Sequence, residues 1–349
     1  MHVMRKEIRI KEIIQETKDC KTFVLESADA ESLLYKPGQF LTFIFKTISG
    51  EQRRNYSISS TPALNEPITI AVKRIPNGFF SRKLVDEAKK GNLLTTIGAS
   101  GFFTLPADMS LYRQLFLLAA GSGITPVYSI LKTALHDFPL LQIVLIYSNR
   151  SREETIFYNA LRQLESNYPD RLRIEWLFSD APDRTRSRLG NWLLGELMKK
   201  YVNASLSQCL FYLCGPLNYM RTITITLLIT GVKRANIRKE EFVITQPLIQ
   251  LKPPDTEPRR VSVTLDEKRY QFTNEYPRTI LQSAKLAGIE LPYSCETGKC
   301  GTCAAVCRKG NVWMKYNEVL TDEELQTKKT LTCTGYAVFG DVELDFDAV

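Results

Sequence analysis

No stretch of this 349-residue chain approaches the roughly 18 consecutive apolar residues that a membrane-spanning helix needs, so no membrane span is expected. Basic residues are scattered: no run of Lys and Arg exceeds two residues and there is no Arg-rich tract, which argues against a nucleic-acid partner. Neither a repeat at solenoid spacing nor a low-complexity tract is present. The opening residues, MHVMRKEIRIKEI, carry charge throughout and lack the apolar run and small-residue cleavage site of a signal peptide. A cytoplasmic location is therefore expected, where structural disulfides are rare and clustered cysteines more often bind metal or do redox work.

What is present is the composition of a globular protein, 44% hydrophobic and 24% charged, long enough for two or three domains. The net charge of +8 is unevenly spread. From Val261 to the end there are 10 Lys and Arg against 13 Asp and Glu, a net of −3, whereas residues 1–260 carry +11. An acidic C-terminal part favours docking on a partly basic protein partner.

One connector stands out. PLIQLKPPDTEPRR, Pro247 to Arg260, has four prolines and no amphipathic period. Before it, the chain to about Pro106 is strand-like (IRIKEIIQ, KTFVLES, FLTFIFKT, RRNYSIS, PITIAVKRI), with only SRKLVDEAKK reading as helix; an antiparallel barrel or sandwich is expected. From about Leu111, near-continuous apolar strands (QLFLLAA, LQIVLIYS, RLRIEWLFS, CLFYLCGP) alternate with helices. That rhythm predicts a parallel α/β sheet buried on both faces, with ligands at the carboxyl ends of its strands.

GSGITP, Gly121 to Pro126, occupies such a strand end. Its glycines let backbone approach a pyrophosphate, and the helix starting near Thr125 offers unpaired N–H groups. It departs from G-x-G-x-x-G because Pro126 stands where the last glycine would be. Several companions also have plain readings: Arg54 as a solvated strand residue, Tyr56 as barrel packing, Ser81 as a helix cap and Cys214 as a buried thiol.

In order, KPGQF, RNYSISS, NGFFS, GASGFF, GSGITP and CGP resemble the ferredoxin–NADP reductase superfamily over roughly residues 5–245. The resemblance implies an antiparallel β-barrel flavin domain followed by an α/β parallel-sheet nicotinamide domain. It implies that Arg54 holds the flavin pyrophosphate, that Tyr56 stacks on the flavin ring and that Ser57 lies near its N5. Gly78 and Ser81 would cradle the pyrophosphate; Gly121, Gly123, Thr125 and Pro126 would shape the dinucleotide site; Cys214 and Gly215 would sit near the nicotinamide. Ser57 and Cys214 are thus the expected catalytic residues.

PYSCETGKCGTC places Cys295, Cys300 and Cys303 at C-x4-C-x2-C, and LTC supplies a distant Cys333, the plant-type [2Fe–2S] ligand pattern. Gly298 and Gly301 let the loop fold tightly so that backbone N–H groups reach the sulfurs. Zinc is the competing occupant, but structural zinc sites usually pair C-x2-C with a second C-x2-C, and Cys333 has no such neighbour. VSVTLDEKRYQFT and TILQSAKLAG before the loop resemble an α+β (β-grasp) ferredoxin domain. The expected boundaries are an FAD-binding domain over 1–108, an NAD(P)-binding domain over 109–246, a linker over 247–260 and a [2Fe–2S] domain over 261–349.

A flavin between nicotinamide and cluster converts a two-electron donor into single electrons. The domain order, with NVWMKYNEVLTDEELQ, LTCTGYA and VELDFD, is similar to reductase components of the phenylacetyl-CoA epoxygenase type and their relatives. That resemblance implies FAD and electron delivery to a separate, diiron oxygenase; phthalate-dioxygenase-type reductases share the order but use FMN, and the Gly78–Ser81 turn suits a dinucleotide. A desaturase or haem-protein acceptor is an alternative, and a non-enzymatic zinc-stabilised binding protein a more distant one. NADPH is the expected donor: Asp180 after Ser179 would repel a 2′-phosphate, but Arg150, Arg184 and Arg186 lie on nearby loops. Phe242 is a loose candidate for an aromatic cover over the flavin.

Overall fold

The computed structural model describes residues 5–28, 33–47, 50–76, 78–242 and 251–349, apart from the side chain of Arg184. Asn77, and residues 247–250 of the expected linker, lie outside the described residues. Lys6–Ala99 and Phe103–Phe242 form one compact unit; the other consists of residues 251–349 with residues 5 and 100–102. Among the described residues, no helix is long and apolar enough to cross a membrane.

The first unit begins with six strands: β1 (Lys6–Thr17), β2 (Cys20–Ser27), β3 (Phe40–Thr47), β4 (Gly50–Ser57), β5 (Ile68–Lys73) and β6 (Leu93–Ser100). They form one sheet in the order β4-β3-β6-β1-β2-β5, and a bridge between Ile58 and Ile70 ties the end of β4 to β5, closing the barrel. Every second side chain faces inward, as the period of two requires: Ile8 and Ile10, Phe23 and Leu25, Leu41 and Phe43 meet in one core. Each such burial contributes about 1.5–3 kcal/mol.

The helix expected at SRKLVDEAKK is displaced. Helix α1 (Phe79–Arg82) starts earlier, continues as a wider π turn over Lys83–Glu87 and stops where Ala88 becomes extended. Leu84 and Val85, adjacent in sequence, are both buried in the barrel core.

The parallel sheet follows. β7 (Gln114–Ala120), α2 (Ile124–Asp137), β8 (Gln142–Asn149), α3 (Tyr158–Asn167), β9 (Leu172–Phe178), α4 (Asn191–Tyr201), β10 (Cys209–Cys214), α5 (Leu217–Ile229) and β11 (Ile237–Glu240) alternate along the chain. The strand order is β11-β10-β7-β8-β9, with an apolar cluster on each face. Two of these elements are absent from the sequence-based expectation. Helix α4 buries Leu193, Leu194, Leu197 and Met198, and β11 is a four-residue edge strand, IRKE, too short and charged to show a period.

The second unit carries a mixed sheet of β12 (Arg259–Leu265), β13 (Lys268–Asn274), β14 (Ala304–Met314), β15 (Lys329–Leu331) and β16 (Gly335–Asp345) in the order β13-β12-β16-β14-β15. β12 opens at Arg259, inside the stretch read as linker. VSVTLDEKRYQFT is a hairpin, turned at Asp266 and Glu267, which both take positive φ (51° and 60°) as a tight two-residue turn requires. Helix α6 (Ile280–Leu286) is started by a capping box between Thr279 and Gln282, and α7 (Asp322–Gln326) by one between Thr321 and Glu324.

Candidate functional site

In the parallel sheet the chain goes from β7 to β8 on one side and reaches β10 on the other, so the order reverses between β7 and β10. A crevice forms at the carboxyl ends of strands at such a switch point. GSG follows β7 there and CGP follows β10. Gly121 takes φ +55° and, with Ser122 and Gly123, forms a single 3-10 turn that leads into α2, one residue before the expected start at Thr125. Thr125 Oγ1 donates to Ser122 O at 3.0 Å, and Tyr147 Oη donates to Gly121 O at 3.0 Å, so both sides of the turn are held. Pro126 is tolerated because the first turn of a helix leaves its N–H groups unpaired anyway.

Gly123 is required by space. A Cβ there would stand 2.1 Å from the carbonyl oxygen of Cys214, so the first turn of α2 rests directly on the end of β10. We expect Gly123→Ala to push the two strand ends apart, costing about 1–3 kcal/mol of stability. Nucleotide affinity falls with it, as read by thermal denaturation and by the KM for the nucleotide.

β11 pairs in parallel with β10 and places Glu240 beside Cys214. Ser57, the last residue of β4, donates from Oγ to Glu240 Oε2 at 3.4 Å. Ser57, Cys214 and Glu240 therefore meet at one point, from the barrel and from two strands of the sheet. Burial raises the Cys214 thiol well above its ordinary value, with Glu240 adding to the effect, so it is a neutral thiol. Glu240 keeps some accessible surface, but its carboxyl group lies deep among protein atoms, and burial pushes it up to about 8 against the opposing hydrogen bond from Ser57. A buried carboxyl group with a raised pKa, touching Ser57, is the candidate site residue missing from the sequence reading. The only sequence signal for it is an acidic residue ending a short strand just before Phe242.

A cleft of about 550 Å³ opens from this point, lined among others by Arg54, Tyr56, Ser57, Gly78, Ser81, Thr125 and Phe242. Phe242 is 45% exposed, as an aromatic side chain available to cover a ligand should be. Burial raises the Tyr56 hydroxyl far above its ordinary range, so the ring is a neutral face. Arg54 sits 4.6 Å over the Phe80 ring and donates to Arg53 O at 2.6 Å. The Ser81 hydroxyl is engaged within its own turn: it accepts from Ile75 N and donates to Gly78 O, both at 3.1 Å. Gly78, not Ser81, is the helix cap, and a Cβ on it would strike Ser81 Oγ at 2.5 Å. The residues of this cleft fit a flavin dinucleotide: an aromatic face, a guanidinium and a glycine turn opening a helix line one cavity.

The cysteines form two sulfur pairs, Cys295 hydrogen-bonded with Cys300 and Cys303 with Cys333. Among the described residues no three such side chains group around a single point. Two pairs are the arrangement in which each of two irons takes two thiolates. Thr332 ties the second pair together, its N–H and its hydroxyl both donating to Cys303 O at 3.1 Å. Thr297 N donates to Cys295 Sγ at 3.4 Å, and the buried Thr297 hydroxyl also acts on this thiol. The hydrogen bond from Cys300, helped by those of Thr297 and the Lys299 N–H, holds the Cys295 thiol well below its ordinary value. Gly298 and Gly301 take φ +75° and +76°, the left-handed turn that lets these amides face the sulfurs. Four thiols in two pairs, with donors aimed at sulfur, fit a [2Fe–2S] cluster. Cys307 is a buried thiol hydrogen-bonded to Lys309 O and Gly310 O, outside the two pairs.

Comparison with known proteins agrees with this division. Residues 7–105 match the family described as oxidoreductase FAD-binding domain, residues 117–224 the oxidoreductase NAD-binding domain, and residues 263–338 the 2Fe-2S iron-sulfur cluster binding domain. The chain is 34% identical to the 3-ketosteroid-9-alpha-monooxygenase ferredoxin reductase component of Mycolicibacterium smegmatis, covering 99% of this chain and 98% of that one. It is 31% identical to a component of the 1,2-phenylacetyl-CoA epoxidase of Escherichia coli, over 98% and 97% of the two chains. Phthalate dioxygenase reductase shares the fold, with a TM-score of 0.60 at 23% identity over 97% of each chain. The chain therefore belongs to the family of ferredoxin reductase components that join an FAD-binding barrel, an NAD-binding α/β domain and a 2Fe-2S domain, and it is an NAD(P)H-dependent oxidoreductase.

Proposed function

We propose that this chain draws electrons from a reduced nicotinamide nucleotide and delivers them to a separate terminal oxygenase. The observation that carries the reading is the meeting of Ser57, Cys214 and Glu240 at a switch-point crevice, in a chain that also holds two cysteine pairs. When bound, the flavin takes two electrons as hydride from the nicotinamide and releases them singly to the cluster. Arg54 and the Gly78–Ser81 turn would hold its pyrophosphate, Tyr56 would pack on its ring, and Phe242 would cover it. Gly121, Gly123, Thr125 and Pro126 would receive the nucleotide, with Cys214 and Gly215 beside the nicotinamide. Glu240 would orient Ser57 and hold a proton next to it. Cys295, Cys300, Cys303 and Cys333 would ligate the cluster. The domain boundaries inferred from the sequence belong to the same proposal.

That the partner is a diiron oxygenase is the narrower part of this proposal; the likeness to a component of the 1,2-phenylacetyl-CoA epoxidase supports an oxygenase-type acceptor. Relatives named for ketosteroid and glycine betaine monooxygenases support the broader class of oxygenases. A cytoplasmic location is supported by eight cysteines that are all free thiols. For the donor, the surroundings of the loop after β9 favour NADH over the NADPH suggested by sequence. Arg186 pairs with Glu175 at 2.7 Å and Arg150 with Glu154 at 3.8 Å, while the Asp180 carboxylate remains to repel a 2′-phosphate.

Anaerobic absorption titration with NADH and with NADPH tests the reading. Flavin bands with a cluster shoulder should bleach at low equivalents, and NADH should give the higher kcat/KM. A colourless zinc protein, unresponsive after reconstitution with flavin, iron and sulfide, overturns it in favour of a structural metal.

A further inference from the structure

Helix α2 carries two sets of side chains on one face. Thr125, in its first turn, lines the flavin cleft. Ser129, Lys132 and Thr133 follow at the i+4 and i+7/i+8 positions, so they lie on the same face one and two turns further along. All three engage the seven residues Ser60–Glu66, which begin only three positions after Ser57. Ser129 Oγ donates to Ser60 O at 2.5 Å. Thr133 Oγ1 donates to Ser129 O at 3.0 Å, which leaves the Thr61 hydroxyl as the donor in the 2.6 Å contact between Thr61 and Thr133. Lys132 forms an ion pair with Glu66 Oε2, and the same oxygen accepts from Thr61 N at 2.9 Å. The Lys132 ammonium also lies 4.5 Å over the Tyr128 ring.

This strip is built to be dry. Ser60, Thr61 and Ser129 are 1% exposed or less and the Lys132 side chain only 7%, with Glu66 at the rim of the strip at 29%. A lysine this deep has its ammonium disfavoured by burial, and the Glu66 carboxylate offsets that loss. Polar contacts made at such cost fix geometry more than they add stability. Here they connect the strand that ends at Ser57 with the helix whose first turn shapes the nucleotide site. The short covalent stretches at either end, Ser57 to Ser60 and Thr125 to Ser129, transmit that geometry to the cleft.

We propose that Lys132 and Glu66 are positioning residues that set the approach of the nicotinamide to the flavin. Neither residue lines the cleft, so they act through Ser57 and Thr125. The proposal rests on the function proposed above.

The test uses the full-length, flavin- and cluster-loaded protein and the variants Lys132→Met, Lys132→Arg and Lys132→Met with Glu66→Gln. Rapid-mixing flavin reduction over a range of NADH concentrations separates nucleotide affinity from the limiting rate, and hydrogen–deuterium exchange follows residues 58–66 and 124–133. Lys132→Met should retain flavin, change nucleotide affinity less than about threefold and lower the limiting rate about tenfold or more, because small displacements of reacting groups are costly. Exchange should rise in both segments together. The double variant, which leaves no half-covered carboxylate without its cation, should recover part of the rate. A limiting rate within twofold of wild type, or a loss of thermal stability with rate and exchange unmoved, overturns the proposal. If Lys132→Met fails to fold or to hold flavin, Lys132→Arg decides, since its longer planar head cannot reproduce the contact; wild-type rate and exchange there overturn the proposal. Should neither nucleotide reduce the flavin of the wild-type protein, the proposed function fails, and uncoupled exchange of the two segments in the variants then counts against the positioning role separately.

Discussion

Cys300→Ser abolishes cluster assembly and, with it, reduction of one-electron protein acceptors, while reduction of ferricyanide through the flavin continues at close to the wild-type rate. The expectation follows from the two sulfur pairs: Cys300 shares its pair with Cys295, and without it one iron of the cluster would be left with a single thiolate ligand. A serine oxygen is a harder ligand and a weak substitute for thiolate. The visible spectrum should show flavin bands without the cluster shoulder, and iron and sulfide analysis should fall toward zero. The FAD and NAD matches span residues 7–105 and 117–224, whereas Cys300 lies in the 2Fe-2S match, so flavin content should be unchanged. A folded variant that loses flavin reduction as well would show that the two functions are not separable.

Glu240→Ala lowers the limiting rate of flavin reduction by about 100-fold, within the range for removing a positioned proton-holding group. Ser57 loses its 3.4 Å partner, and the crevice loses the carboxyl group that holds a proton there. The sign of the pH effect on stability follows from the raised folded-state value of about 8, against an ordinary 4.5 when unfolded. Between these values the folded protein binds more protons at this site than the unfolded chain does. Stability from this group is therefore complete below pH 4.5 and falls as pH rises toward 8, by about 1.4 kcal/mol per pH unit. Glu240→Gln, which cannot ionise, should lack this component. Denaturant unfolding of both proteins at pH 5, 6, 7 and 8 reads the difference, and parallel curves for the two would contradict a buried, protonated Glu240.

Much of this architecture was legible because strong local signals agreed with one another. The apolar runs of β7, β8 and β10 read as buried parallel strands and are buried on both faces. The C-x4-C-x2-C loop and the distant Cys333 read as one cluster site and stand as two sulfur pairs. The missed parts depend on tertiary context. Strand β11 is four residues, three of them charged, and only its register against β10 makes Glu240 a neighbour of Cys214. The turn at Asp266 and Glu267 lacks the Asn-Gly or Asp-Gly pair that marks a hairpin, so nothing in the sequence marks where VSVTLDEKRYQFT folds back on itself. The engagement of the Ser81 hydroxyl by Ile75 N and Gly78 O within its own turn is likewise a contact that no sequence pattern shows.

The position of β11 at the edge of its sheet has a consequence for how the molecule yields. A four-residue strand bonded on one side only is the segment of a sheet that opens at least cost. Ionising Glu240 places a charge on that strand where burial disfavours it, so β11, with Phe242 just beyond it, is where alkaline conditions are expected to loosen this sheet first, as hydrogen exchange of residues 237–242 would show.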